Sequence, residues 1–173
     1  MSKVIREFFG ETRWLSNFAG VKIVWNGMTF PSTENAYQAS KIMSPDVMVD
    51  VPTSGGLVDD AKVSYWELCQ TCSAKVSKAV STLDVIKDNT RKDWKQVNLA
   101  LMYDFNKQKF TQEPYRSQLI ATGDAELQEG NSWGDLFWGV DKQTGAGLNH
   151  LGKIIMAIRD ELNGKTVNGF DTL

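Results

Sequence analysis

The segment VKIVWNGMTFPSTENAYQASK, Val21 to Lys41, decides how this chain is to be read. Two short apolar runs, Val21–Trp25 and Met28–Phe30, flank Asn26-Gly27. That pair tolerates positive φ at both central positions of a turn, so a type I′ hairpin is predicted. Pro31 then opens a predicted helix over Pro31–Lys41, with Ser32 and Thr33 as candidate N-caps and Glu34 in the first turn. At 3.6 residues per turn, Glu34, Gln38 and Lys41 share one face, while Ala36, Ala39 and Ile42 lie mostly off it. A carboxylate, an amide and an amine in a row, with Tyr37 beside them, have two readings. One is a solvated surface face, where an acid in the first turn suits the helix dipole. The other is chemistry. The segment alone favours the first.

Working outward, the segment VIREFF before the hairpin alternates loosely and reads as a strand. From Ser44 to about Gly56 the chain reads as loop, with Pro45, Pro52 and TSGG as breakers, and a polar helical region then runs towards Leu83. DWKQVNLALMYDFNKQKF is an amphipathic helix, with Trp94, Val97, Leu101 and Phe105 at helical spacing. EPYRSQLIAT is another, stopped by Gly123. AELQEG and DLFWGV read as short extended segments. The closing helix carries an apolar stripe of Leu148, Leu151, Ile154, Ile155, Ile158 and Leu162, ended by Gly164. The loop before it, GVDKQTGAGLNHLG, leads glycine-rich into a helix start. Its backbone N–H groups can hold an anion, or it is a plain turn with Asn149 as N-cap. It is not a dinucleotide fingerprint, because His150 stands where the third glycine belongs. With no repeat or linker, residues 1–173 read as a single, mostly helical α+β domain with a short N-terminal antiparallel hairpin.

The bulk numbers are those of a soluble globular protein: 173 residues, 42% hydrophobic, 23% charged. A net charge of −2 gives no global electrostatic case for nucleic acid. MSKVIREFFGE lacks the long apolar region of a secretion signal, and no apolar run approaches the roughly 20 residues of a membrane span. A cytoplasmic location away from membranes is the expectation. Cys69 and Cys72 form one C-x-x-C, open to redox or zinc readings, but no second such pair exists and His150 is the only histidine. They are read as reduced, partly buried thiols on a helix. No metal site is expected. The six tryptophans default to core positions. Trp133 and Trp138, among glycines, and Trp94, opening its helix after NTRKD, also offer flat faces suited to a planar base.

In order along the chain, the motifs resemble those of the NADAR, or YbiA-like, family. FFGETRWLSNFAGVKIVWNGMTFPSTENAYQASK is similar to its opening block, and TRKDW to its Arg-x-x-Trp helix entry. KFTQEPYRSQLIATGDAELQE and FWGVDKQTGAGLNHLGKIIMAIRDEL resemble its later blocks, so the likeness covers nearly the whole chain. The resemblance implies hydrolysis of N-glycosidic bonds, on phosphoribosylaminopyrimidine intermediates of riboflavin synthesis or on ADP-ribosylated bases, including guanine in nucleic acid. It implies Glu34 and Lys41 as catalytic residues. As substrate contacts it implies Trp94, Trp138, Asp141 and Asn149, with Asn17 of the Leu-Ser-Asn-Phe motif as a sugar or phosphate contact. The partner implied is a small phosphoribosyl or ADP-ribosyl compound, with nucleic acid only as an ADP-ribosylated substrate. No cofactor is implied. Two departures leave the substrate open: Asn35-Ala36 follows Glu34 where many members carry histidine or a bulky residue, and the stretch between Lys41 and Trp94 is longer.

Breaking a C1–N bond requires a proton for the departing nitrogen and stabilisation of positive charge at C1, and a carboxyl group can supply either. Lys41 is a charge partner for Glu34 or, if desolvated, a nucleophile towards an opened ribosylamine. Gln38 between them can orient either group and is a candidate binding residue. Two rival expectations stand beside the N-glycosidase. One is a catalytically silent ADP-ribose or nucleotide-binding module, and the other is a structural protein with its tryptophans in the core and the Glu34 face in water.

Overall fold

The computed structural model describes residues 3–53 and 56–165. It is a mixed α+β fold. Among the described residues, its strands pair two by two: β1 (Val4–Ile5) with β6 (Glu126–Leu127), β2 (Gly20–Trp25) with β3 (Met28–Ser32), β4 (Met48–Thr53) with β5 (Gly56–Ser64), and β7 (Gly130–Asn131) with β8 (Val140–Asp141). The chain packs as two compact units, Gly20–Leu101 and a second made of residues 1–19 with 102–173.

The first unit holds the predicted hairpin. β2 and β3 are antiparallel with Trp25 opposite Met28, and Asn26 and Gly27 adopt φ of 50° and 74°, as a type I′ turn requires. The following helix, α1, spans Thr33–Ala39 and packs against β2, β3 and two further helices, α2 (Tyr65–Thr71) and α3 (Ala74–Val80). The loop expected from Ser44 to Gly56 is instead a turn followed by the antiparallel pair β4–β5. The strand signal was present in the alternation of buried Val47 and Val49 with exposed Met48, but Pro52 and the glycines masked it. Ser54 and Gly55 of the TSGG breaker lie outside the described residues. The polar helical region begins only at Tyr65, because β5 continues to Ser64, and a short helix α4 (Asp84–Asp88) follows α3.

In the second unit the predicted strand VIREFF is reduced to Val4–Ile5, with a 3-10 turn over Gly10–Leu15 behind it. α6 (Tyr115–Ala121) is followed by Gly123 at φ +61°, as expected. The closing helix α7 spans His150–Leu162 with Leu151, Ile154, Ile155 and Ile158 buried. Leu148, expected in the stripe, precedes the helix and is 52% exposed. Helix α5 (Trp94–Phe110) runs from the first unit into the second. Of the predicted row of Trp94, Val97, Leu101 and Phe105, only Phe105 is buried; the other buried positions are Met102, Asn106, Lys109 and Phe110. The helix therefore buries an amide and an amine along with its apolar groups.

Lys109 is fully buried; its Nζ donates to the Ser16 carbonyl at 2.7 Å and lies 4.9 and 5.1 Å from the ring centroids of Phe110 and Tyr115. Burial lowers its pKa to about 7, against the opposing pull of the Glu129 carboxylate. The folded value lies below that of the unfolded chain, so the charged amine opposes folding. Between about pH 7 and about pH 10 the unfolded chain holds a proton that the folded chain has released. Stability is therefore expected to rise with pH across that window, by at most about 1.4 kcal/mol per unit. Denaturant melts of wild type and Lys109→Met at pH 7 and pH 9 check this, since the variant lacks the titrating group. Parallel pH dependences would remove Lys109 from the linkage.

Candidate active site

Helix α1 starts where its cap chemistry dictates. Ser32 is extended and its Oγ accepts the Asn35 N–H at 3.1 Å, so the N-cap is Ser32 and Pro31 stays in β3. The helix ends at Ala39, earlier than predicted. The chain then tightens, with Lys41 N–H on the Gln38 carbonyl at 3.3 Å and Ile42 N–H on that of Ala39 at 3.1 Å. Lys41 thus stands in the turn beyond the helix. Every residue of α1 is buried. That overturns the solvated-face reading, because Glu34 and Gln38 are only 5% and 4% exposed.

Inside this unit the acid, amide and amine remain coupled. Gln38 Nε2 donates to Glu34 Oε1 at 2.7 Å. The Lys41 ammonium lies 5.9 Å from the ring centroids of both Tyr37 and Trp94, and those rings contact each other at 4.9 Å with a 52° tilt. Burial lowers the Lys41 pKa; the Glu34 carboxylate opposes that shift, Lys78 adds to it, and Cys69 opposes it. The Arg-x-x-Trp segment explains how Trp94 arrives here. Arg91 forks onto Asp93 at 2.6 and 2.7 Å, its backbone N–H donates to the Lys41 carbonyl at 2.8 Å, and Trp94 N–H closes on the Arg91 carbonyl at 3.1 Å.

Sequence reasoning missed the role of Asn35. Its Nδ2 donates to the carbonyls of Cys69 and Cys72 at 2.9 and 3.0 Å, and its Oδ1 accepts from the Ser32 hydroxyl. The amide ties the first turn of α1 to the end of α2. A polar residue directly after Glu34, on the side facing away from it, was the available signal. The two cysteines are free thiols, Cys69 buried and Cys72 half-buried. Burial pushes Cys69 up to about 12 and raises Cys72 as well, which keeps both protonated and speaks against a redox pair. No cluster of metal-ligating side chains occurs among the described residues.

The remaining candidates belong to the second unit. Asn17 is buried; its Nδ2 meets Met102 Sδ at 3.3 Å and its Oδ1 accepts from Asn106 Nδ2 at 3.2 Å. Trp138 is half-buried, edge-on to Phe137 at 5.0 Å, with His150 at 6.5 Å. Asp141 Oδ1 accepts from the backbone N–H groups of Gln143 and Thr144 at 3.1 and 2.7 Å and from the Thr144 hydroxyl at 2.9 Å. Those bonds hold its carboxyl below the usual range. Asn149 occupies the N-cap position of α7 in a left-handed conformation (φ 53°), but its side chain makes no cap. It reaches across instead, donating to the Leu127 carbonyl at 2.9 Å and accepting from Glu129 N–H at 3.1 Å. A Cβ on Gly152 would stand 2.2 Å from the Leu127 carbonyl, so glycine is required where strand and helix meet.

The anion reading of this loop does not hold. The N–H groups of Leu148, Asn149, His150 and Leu151 donate to the carbonyls of Leu136, Gly139, Phe137 and Trp138 at 2.7 to 3.3 Å. The chain's own backbone occupies the helix start. Nor do the tryptophans form a core. Trp14, Trp25, Trp66, Trp94 and Trp138 are half-buried, and Trp133 is 69% exposed.

A buried carboxyl–amide pair followed by a half-buried amine beside two rings is chemically able to do acid–base or nucleophilic work. Residues 7–163 match the NADAR domain, and the chain belongs to that family. It is 32% identical over 148 residues to the N-glycosidase YbiA of Escherichia coli, spanning 85% of this chain and 79% of that protein. It is 33% identical over 150 residues to a riboflavin biosynthesis protein of Vibrio vulnificus, 86% of this chain but only 35% of the relative, so it spans about a third of that protein's length. The NMR structure of E. coli YbiA superposes with a TM-score of 0.71 at 27% identity, over 94% of this chain and 87% of the other. No helix among the described residues is long and apolar enough to cross a membrane.

Proposed function

We propose that this protein is a hydrolase of N-glycosyl bonds, cleaving the C1–N bond between a phosphoribosyl or ADP-ribosyl group and a base. The observation that carries the reading is the Glu34–Gln38–Lys41 row: a buried carboxyl group and a half-buried amine beside Tyr37 and Trp94. Glu34 exchanges the proton that the departing nitrogen needs and opposes the positive charge developing at C1. Lys41, with its pKa lowered, either adds to the sugar carbon or supplies fixed positive charge. Trp94, beside Tyr37 and Lys41, is the ring proposed to take the base. The naming of relatives as N-glycosidase and riboflavin biosynthesis protein supports the class of bond. A cytoplasmic site of action suits these soluble substrates.

The test is direct. The protein is incubated separately with the phosphoribosylaminopyrimidine of riboflavin synthesis and with ADP-ribosylguanosine, and the released base is identified by mass spectrometry. Release of one free base, absent from a heat-denatured control, is the expected result. Saturable binding of either compound without turnover would replace the enzyme by a silent nucleotide-binding module. Neither binding nor release would overturn the site itself.

A further inference from the structure

Two helix ends meet on one amide. Asn35, directly after Glu34 and third in α1, is fully buried. Its Nδ2 donates to the carbonyls of Cys69 and Cys72 at 2.9 and 3.0 Å, and its Oδ1 accepts from the Ser32 hydroxyl. Carbonyls only accept, so the amide has one orientation here, nitrogen towards the cysteines and oxygen towards Ser32. The partners on both sides are groups that helix termini leave over. Cys69 lies in the last turn of α2, Cys72 is its C-cap, and Ser32 is the N-cap of α1. Ser32 Oγ in turn accepts the Asn35 backbone N–H at 3.1 Å. One residue thus holds the first turn of α1 by both its backbone and its side chain.

That hold bears on Glu34, which lies in the same turn. Helix α1 has seven residues, about two turns, and the N–H groups of a first turn have no carbonyls of their own helix to bond. We propose that Asn35 is a positioning residue for Glu34: by bonding the start of α1 to the end of α2, it fixes the backbone from which the Glu34 carboxyl group projects. This rests on the N-glycosidase reading of Glu34. Consecutive helical positions lie about 100° apart, so Asn35 anchors the turn without occupying the face that Glu34 shares with Gln38. Without the anchor the turn can fray or rotate. A reacting group displaced by about 1 Å loses on the order of 10²-fold in rate.

Asn35→Asp keeps the size and an oxygen for the Ser32 hydroxyl, but sets a second oxygen against two carbonyls. Ser32→Ala is the milder variant, removing the hydroxyl and leaving the Nδ2 bonds. In folded protein, Asn35→Asp is expected to lower kcat at least about tenfold with KM little changed, and Ser32→Ala to lower it less. The deciding measurement is a double-mutant cycle. In a Glu34→Gln background either change should cost less than about twofold more, because no acid remains to be misplaced. A merely structural residue would lower the active fraction equally in both backgrounds. If Asn35→Asp does not fold, Ser32→Ala carries the same cycle. Amide hydrogen exchange, followed by NMR without substrate, should be at least about tenfold faster over residues 34–37 in the folded variant. Equal losses in both backgrounds, full kcat in a folded variant, or unchanged exchange overturns the proposal. The exchange readout also separates the two ideas. Faster exchange in the variant of a protein that releases no base would sink the N-glycosidase reading and keep the anchor, whereas unchanged exchange in an active variant would do the reverse.

Discussion

Glu34→Gln is expected to lose about 10²–10⁴-fold in kcat while the protein stays folded, the range for removal of one acid–base group. The substitution is nearly isosteric, and the new amide keeps an oxygen that can accept from Gln38 Nε2 where Glu34 Oε1 does now. Glu34 is 5% exposed, so the native state holds a carboxyl group out of water. Replacing it by a neutral group relieves desolvation and removes the attraction to Lys41 at once. These oppose each other, and the favourable placement of an acid in a first helical turn adds little, so stability should change by no more than about 1 kcal/mol. A melting curve beside steady-state rates checks both halves. Full activity in a folded Glu34→Gln protein would remove the residue from the chemistry.

That variant isolates what local pattern could and could not reveal. The hairpin and the capped helix were legible because their signals are short-range: Asn26-Gly27 sets positive φ, and Ser32 offers its hydroxyl three residues on. The helical spacing that put Glu34 beside Gln38 was legible for the same reason. Whether that face meets water or protein is a tertiary fact, and here periodicity misled, since α1 is buried on every side. No amphipathic pattern exists to be found in a helix covered by β2, β3, α2 and α3. The end of the helix was also missed: Ser40 Oγ donates back to the Tyr37 carbonyl at 2.8 Å, a competing bond that periodicity does not record.

Polar residues used inside the protein were the harder class. Asn35, Asn149 and Lys109 read from sequence as a family departure, a helix cap and one residue of an amphipathic helix. Each proves to be a buried group bonded to backbone carbonyls distant in sequence: Asn35 to Cys69 and Cys72, Asn149 to Leu127, Lys109 to Ser16. The residue type shows that such a group needs partners, but the fold alone supplies them. The site residues of the second unit entered through family likeness rather than through periodicity, and their local geometry shows why. Asp141 turns its own loop and Asn149 bridges to β6, roles that leave no helical or strand spacing to detect.

Lys41→Arg should be inactive, because the amine is expected to add to C1 of the opened sugar. A ribosylamine opens when its ring oxygen takes a proton and C1 becomes an imine to the departing nitrogen. The Lys41 Nζ lone pair adds to C1, the C1–N bond to the base breaks as that nitrogen takes up a proton, and a lysine imine remains. Water then adds to C1 and returns the free amine with the sugar aldehyde. The first addition requires an unprotonated amine. Burial lowers the Lys41 pKa, with the Tyr37 and Trp94 rings 5.9 Å from the amine, while Glu34 limits the shift. Rates should accordingly fall as pH drops through that lowered pKa, since the amine is then protonated. A guanidinium keeps the positive charge but does not lose its proton near neutral pH, so arginine cannot take this route. Borohydride added during turnover should reduce the imine to a stable secondary amine, intact mass should rise by the sugar phosphate portion, and peptide mapping should place it on Lys41. The opposite outcome is equally clear. A Lys41→Arg enzyme that retains most of its activity, with no trapped adduct in wild type, would reduce Lys41 to a fixed charge and leave Glu34 acting on water.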